Sequence, residues 1–453
     1  MTKILFDDFN SVSSKEWKQK IQADLKGADY NETLIWKTNQ GVDVKPFYHA
    51  DEFENHFKTV SSPNNWSICQ LIFVHDVALS NKKALDVISR GAESIKFVIP
   101  SNEVSVEDLL QNINLETTIL YFELEFLDSN FVKKLTELDS KGRFHIKTDI
   151  IGHLAQTGNW YTNLNEDHKQ FDSIVKLTNS FSVNVALYQN AGATIIQQLA
   201  YALAQTNEYL NHLDITQNSD SFKIIFNVAV GTNYFFEIAK IRALRLLFNS
   251  LISEYNFDAD CLVFVTPTKR NKTLYDYNTN MLRTTTECMS GILGSADTIC
   301  NLGYDAIYHK DNEFAERIAR NQLLVLKHES YFNEVNNASE GSYYIESLTQ
   351  QLADKGLELF KDIEAQGGFL KQLKEGIVQR KIKESASKEQ DQFNSGEIIL
   401  LGTNKHPNTN DKMKHELELF PFVKTNIRKT LIQPIIEKRL AETIEQERLN
   451  TEN

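Results

Sequence analysis

The sequence predicts an α/β protein whose main body is a (β/α)8 TIM-type barrel. Eight strand-like runs alternate with eight helix-like runs in about 270 residues, close to the size of one closed barrel. Several of these runs are apolar on both faces, Leu71-Ile72-Phe73-Val74 and Leu262-Val263-Phe264-Val265 among them, as parallel strands covered by helices must be. No G-x-G occurs, although an open doubly wound sheet bearing a nucleotide would be expected to show a glycine fingerprint.

In chain order, strands are predicted at 67–74, 94–99, 117–124, 143–151, 182–187, 222–230, 261–266 and 295–302. Helices are predicted between them at 84–90, 106–113, 130–138, 171–179, 194–210, 234–254, 281–294 and 314–328. The fifth unit is the clearest. Val183, Val185 and Leu187 alternate with smaller or polar residues, and 188–192 reads as a polar turn closed by Gly192. Ile195, Leu199 and Leu203 then recur at four-residue steps. Residues at the C-terminal end of a barrel strand face the reaction space. Ala186, Leu187, Tyr188, Gln189 and Asn190 therefore decide whether chemistry is possible there.

Residues 1–60 read as an arm. Trp17, Ile21 and Leu25 make a short helical stripe that ends at Gly27, and Leu34, Trp36, Pro46 and Phe47 follow. These residues are too few to bury one another, so the arm must lie on the barrel or on a partner. Residues 61–383 are assigned to the barrel with its C-terminal helices at 342–366 and 369–383, after a loop at 331–341. Residues 384–453 are assigned to a polar linker and a helical tail, helical over 422–448 and solvated at its end.

The chain carries 48 Lys+Arg against 61 Asp+Glu, a net charge of -13 that argues against a nucleic-acid or anionic-membrane surface. Cys69, Cys261, Cys288 and Cys300 form no C-x-x-C pair, and three lie in apolar segments, as buried reduced thiols of a cytosolic protein do. No run is apolar enough to span a membrane. The first ten residues hold Asp7 and Asp8 and no arginine, showing neither a secretory nor a transit signal, so a cytoplasmic location is expected.

Familiar catalytic motifs are missing. H-E-x-x-H, G-x-S-x-G and the P-loop do not occur, and no two histidines have ligand spacing on one helix, so no metal site is expected. His75 with Asp76 after the first strand, and Arg143, His145 and Asp149 along the fourth, could reach a barrel mouth. The plainer reading makes them satisfied polar groups at strand ends and in loops. In 234–248 (YFFEIAKIRALRLLF) the aromatic and aliphatic residues read as core, with Arg242 and Arg245 facing outward to solvent or a partner. Three threonines in 282–287 (LRTTTE) suggest a packed helix surface.

Four blocks occur in a familiar order: FNVAVGTNYFFEIAKIRALR, YDYNTNMLRTTTECMSGILGSADTI, RIARNQLLVLKHES and GSYYIESLT. Together with the opening LKGADY and LIWKTNQGVDVKPFY, they resemble the adenosylcobalamin-dependent methylmalonyl-CoA mutases from about Trp17 to Arg439. The resemblance implies a (β/α)8 barrel that threads an acyl-CoA. It also implies a cofactor-derived radical and the reversible rearrangement of methylmalonyl-CoA to succinyl-CoA. In that family a flavodoxin-like domain holds cobalamin through D-x-H-x-x-G. None of the 11 histidines here has an aspartate two residues before it, so no cobalamin-binding domain is expected in this chain.

Residues 185–193 (VALYQNAGA) stand where catalytic chains carry a Gly-Tyr-His-Met-Gln-Glu-Ala-Gly-Ala type of sequence. Ala186 replaces the tyrosine and Leu187 the histidine. A leucine neither donates a hydrogen bond to a thioester carbonyl nor moves a proton. The family's threonine–isoleucine–x–asparagine–aspartate run is not seen near 146–152, and Glu340-Gly341 replaces Gly-Gly. No catalytic, cofactor-binding or metal-ligating residue is therefore assigned.

This pattern resembles the non-catalytic small subunit of the bacterial heterodimeric enzymes. It implies pairing with a catalytic large subunit that holds the adenosylcobalamin, with the arm and part of the 235–245 face against that partner. Two alternatives stay open: a working acyl-CoA mutase barrel whose cobalamin domain is a separate chain, and a stand-alone barrel with an unrelated ligand.

Overall fold

Alternation of side chains sorts each strand into a face toward the helices and a face toward the barrel axis. A computed structural model describes residues 9–53, 66–213, 222–255, 258–424 and 427–452. Its eight main strands are β1 (Ser67–Phe73), β2 (Ser94–Ile99), β3 (Ile119–Leu124), β4 (Phe144–Lys147), β5 (Ser180–Asn184), β6 (Phe222–Val230), β7 (Ala259–Pro267) and β8 (Thr298–Cys300). All pair in parallel, in the order β4-β3-β2-β1-β8-β7-β6-β5. The remaining gap, β4 to β5, is bridged by the Ser182 N–H to Thr148 O bond (2.9 Å), which nearly closes the ring.

Outward-facing residues meet the helices in two apolar clusters. One joins β1–β4 to helices Val77–Ser89 and Ser129–Leu138, through residues such as Ile72, Phe97, Phe122 and Leu135. The larger one joins β5–β8 to helices Ile195–His212, Tyr234–Ile252 and Tyr343–Ala365. Each fully buried Leu or Phe there contributes about 1.5–3 kcal/mol. Ile195–His212 starts on a capping box: Thr194 Oγ1 accepts from Gln197 N–H (3.2 Å), and Gln197 Oε1 accepts from Thr194 N–H (2.9 Å). Cys69, Cys288 and Cys300 are buried thiols, as their apolar surroundings suggested, and Cys261 is half-buried.

Several boundaries depart from the sequence reading. The fourth strand ends at Lys147, because Asp149 caps a new helix, Ile150–Thr157. The fifth ends at Asn184, and the expected polar turn is a helix, Val185–Asn190. The eighth shrinks to Thr298–Cys300. The helix expected at 369–383 breaks at Gly376 (φ +73°), giving Phe369–Lys374 and Ile377–Ser395. The tail does not follow the helix expected over 422–448: among its described residues helix occurs only at Glu442–Thr451, and Glu442 and Glu445 on it are buried rather than solvated.

Most of that tail is an extended strap along the C-terminal face of the barrel. Leu431 N–H donates to Gly158 O (2.9 Å), Ile435 N–H to Ala155 O (2.7 Å), Lys438 N–H to Asn190 O (3.1 Å) and Leu440 N–H to Arg270 O (2.9 Å). Backbone bonding to three different loops replaces the helical ladder, which is why local periodicity misplaced it. The described part of the arm lies on the barrel's helices. Trp36 meets Phe236 edge-on, Tyr48 tilts over Tyr344, and Phe53 stacks on Tyr343. Helix Ser14–Asp24 buries no residue, although its Trp17 stacks on Phe47 at 4.2 Å.

Candidate functional site

Strand C-termini, and the loops that leave them, frame the place where a barrel does chemistry. After β5 the backbone turns at once into Val185–Asn190. Leu187 and Tyr188 are fully buried there, and Leu187 packs in the larger apolar cluster rather than projecting from a strand end. Tyr188 donates to Gln205 Oε1 (2.6 Å). Ala186 and Gln189, three apart on this helix, are the half-buried pair. Asn190 is buried, and its side-chain oxygen accepts from Thr268 Oγ1 (2.7 Å) and Lys269 N–H (3.0 Å).

Asp149 carries the densest polar network of the face. Its Oδ1 accepts from Gly152 N–H (2.7 Å), Tyr209 OH (2.7 Å) and Gln205 Nε2 (2.5 Å), and its Oδ2 accepts from Asn184 N–H (2.7 Å). Burial pushes the carboxyl up to about 6 against those four donors, which pull it down. A carboxylate so occupied ties β4, β5 and the Ile195–His212 helix together. Gly152 is required beside it, because a Cβ there would collide with the carboxylate. His75 is exposed, and Asp76 caps the Val77–Ser89 helix through Leu79 N–H (2.8 Å). For Asp76 and Asp149 the structural reading therefore holds.

Inside the barrel the axis-facing side chains are large. Lys147 Nζ lies 3.3 Å from the Phe264 ring centroid, and Tyr121 packs against Phe264 (4.8 Å) and His145 (4.9 Å). Tyr121 OH is 2.7 Å from Thr298 Oγ1. Lys96 pairs with Glu123 at 2.6 Å. Burial raises the Glu123 carboxyl, but the ammonium groups of Lys96 and Lys147 outweigh it and hold it at about 2. Burial and the charge on Lys96 push the Lys147 amine well below its usual range. Burial, with the nearby Lys223, lowers His145 to about 3, so its ring is neutral. Composition gave no sign of this interior, because charged residues on a strand read as solvated until register puts them inside.

Arg242 and Arg245 are not outward-facing. Arg242 is 1% exposed and pairs with Glu346 on the Tyr343–Ala365 helix (2.7 Å). Arg245 is 5% exposed, and it pairs with Asp297 (2.7 Å) and donates to Ser295 O (2.7 Å) and Cys261 O (2.9 Å). Their helix is enclosed on both sides, so a single-face reading put the arginines on the wrong one. In 282–287 the packed surface is present: Gln322 donates to Thr284 Oγ1 (3.1 Å) and Thr285 Oγ1 (2.6 Å), and Glu287 is buried against Lys272 at 2.7 Å.

These features define the class first: a TIM-type α/β barrel with an arm, a strap along its C-terminal face and a bore crossed by its own side chains. A family model described as methylmalonyl-CoA mutase matches residues 135–450. The methylmalonyl-CoA mutase small subunit of Porphyromonas gingivalis (strain ATCC BAA-308 / W83) is 34% identical over 442 residues, covering 89% of this chain and 71% of that one. The methylmalonyl-CoA mutases of Cereibacter sphaeroides and Rhizobium meliloti (strain 1021) are 36% and 27% identical, covering 86% and 88% of this chain. The chain spans 64% of the length of each of those two relatives. It belongs to the methylmalonyl-CoA mutase family, a family of isomerases.

Proposed function

We propose that this chain is the non-catalytic small subunit of an adenosylcobalamin-dependent methylmalonyl-CoA mutase, cytoplasmic, and that it pairs with and stabilises a catalytic large subunit. One observation carries the reading. The bore through which a family member would thread its acyl-CoA is crossed by Lys147 on Phe264 and by Tyr121 between Phe264 and His145. Moving those groups aside would break a buried aromatic cluster, each pair of which contributes about 0.5–1.5 kcal/mol beyond its burial.

The Leu187 position adds support, because an aliphatic side chain packed in the core offers nothing to a thioester. The residues at this mouth do not fit a corrin either. Asp149 has its oxygens engaged, and the loops after β4, β5 and β7 are hydrogen-bonded to the strap. Adenosylcobalamin is accordingly assigned to the partner.

The arm supplies the contact with that partner. Phe9, Val12, Trp17 and Trp36 stay 75%, 55%, 43% and 53% exposed. Large apolar groups left open in this way mark association surfaces. The assignment of 1–60 to the arm, 61–383 to the barrel and 384–453 to the linker and tail belongs to the same proposal.

The test is to purify the chain alone, assay mutase turnover with adenosylcobalamin, and then co-express it with a methylmalonyl-CoA mutase large subunit from the same source. No turnover alone and a stable, active complex are expected. Turnover by the lone chain, or the absence of a complex, overturns the proposal.

A further inference from the structure

Two of the four cysteines lie side by side on the seam where the first strand meets the eighth. Strands β1 and β8 pair in parallel, and their register sets Cys69 directly opposite Cys300. The flanking residues Ile68 and Ile299 lie in the cluster under the helices. Side chains along a strand alternate, so both thiols point to the barrel axis, where they share one buried cluster with Tyr121 and Phe264. Adjacent strands run about 4.8 Å apart, inside the Cα separation of about 4.4–6.8 Å that a disulfide spans. Neither other cysteine is so placed. Cys261 stands opposite Ile224, and Cys288 is on helix Thr279–Leu293, on the outer side of the sheet.

Joining these two thiols needs no cavity. A disulfide takes up less room than the pair it replaces, since two hydrogens are lost and the sulfurs draw in to about 2.05 Å. The bore accepts that product while Lys147, Tyr121 and Phe264 stay in place. What must enter is an oxidant scarcely larger than water. Local opening of β8, three residues long and the shortest of the eight strands, admits one.

The two thiols differ in readiness. Contact with Cys69 and the ammonium of Lys96 outweigh burial and hold the Cys300 thiol below its usual range, whereas burial pushes Cys69 up. Cys300 is thus the nucleophile of the pair and Cys69 the thiol that resolves it. The same ammonium repels a metal cation, which favours oxidation over metal binding here.

We propose that Cys69 and Cys300 form a reversible disulfide when the protein meets hydrogen peroxide, a redox latch across the β8–β1 seam. The Cys300 thiolate attacks one peroxide oxygen, the O–O bond breaks, and Cys300 becomes a sulfenic acid. The hydroxide released takes up the proton that Cys300 gave and leaves as water. Cys69 Sγ then attacks Cys300 Sγ, the S–O bond breaks, and that hydroxide leaves with the Cys69 proton as a second water. Two electrons pass from the thiols to one peroxide. The bond ties strands far apart in the chain and so opposes opening of the seam. The proposal does not depend on the subunit assignment, since it concerns this chain alone.

The experiment treats the reduced full chain with hydrogen peroxide and follows free thiols, non-reducing peptide maps and amide exchange. Two of the four thiols are expected to disappear together, leaving one linked peptide pair, Cys69–Cys300, that dithiothreitol releases. Exchange at Thr298–Cys300 is expected to slow by about tenfold or more on oxidation and to recover on reduction. Cys300→Ser and Cys69→Ala are each expected to abolish the link, and Cys261→Ala/Cys288→Ala to keep it. The wild-type map reads the link without any variant. Retention of all four thiols, a link through Cys261 or Cys288, a sulfinic acid at Cys300 with no link, or a link that leaves exchange unchanged overturns the proposal.

Discussion

Asp149 shows how one residue can look catalytic and act as a clamp. Its carboxyl titrates near 6 in the fold and near 3.8 when unfolded. The folded state therefore holds the proton more tightly, and stability falls as pH rises from about 4 to about 6, by an amount on the order of 3 kcal/mol. Asp149→Asn should remove that slope while lowering stability overall, because its amide would point a donor at another N–H; urea denaturation at several pH values measures both. Gly152→Ala should destabilise by about 1–3 kcal/mol through collision with the same carboxylate. His145 has the opposite sign. Its folded value, near 3, lies below the unfolded 6.5. Stability is lost as pH falls through that window, and His145→Asn should reduce the loss. Leu187→His alone should yield no mutase turnover, since position 187 points into the core.

At the scale of elements, the Tyr234–Ile252 helix is the informative case. Its apolar period was legible, and the helix forms where expected. What could not be read was that the Tyr343–Ala365 helix covers its outer side. That cover turns Arg242 from a solvated residue into half of a buried ion pair. Arg242→Met should cost roughly 3–5 kcal/mol, because Glu346 is left charged and unpaired. The double variant Arg242→Met/Glu346→Leu should recover most of the loss, a coupling that a double-mutant cycle by chemical denaturation reads directly. The tail shows the reverse error. Its residues carry helical propensity, yet the N–H groups of Leu431, Ile432, Ile435, Lys438 and Leu440 donate to backbone carbonyls of the barrel instead. Tertiary hydrogen bonds overrode a weak local preference.

For the whole molecule, the arm and the barrel divide the work. The barrel is held by its own apolar clusters, whereas the first part of the arm buries little against it. Deleting residues 1–29, which removes the helix Ser14–Asp24 and stops short of the buried Tyr30 and Val42, should leave the far-ultraviolet circular dichroism of the barrel largely intact. It should also weaken co-purification with the large subunit at least tenfold, since about 1.4 kcal/mol of lost contact is enough for that. Loss of the barrel signal, or unchanged co-purification, would argue that the arm serves the fold instead.

The sequence by itself determined the class. Eight alternations of apolar strand and amphipathic helix leave few packings besides a closed barrel, and long ordered blocks placed the chain in its family. It also singled out Leu187 as the residue to look at after the fifth strand, since residue identity needs no coordinates. Only the tertiary structure decided which side chains turn inward. Lys96, Tyr121, His145 and Lys147 sit on short strands whose ends moved by up to four residues, and a one-residue slip sends every side chain to the other face. The filled bore is therefore a property of register. Register is fixed by hydrogen bonds between strands far apart in the chain, which no local pattern records.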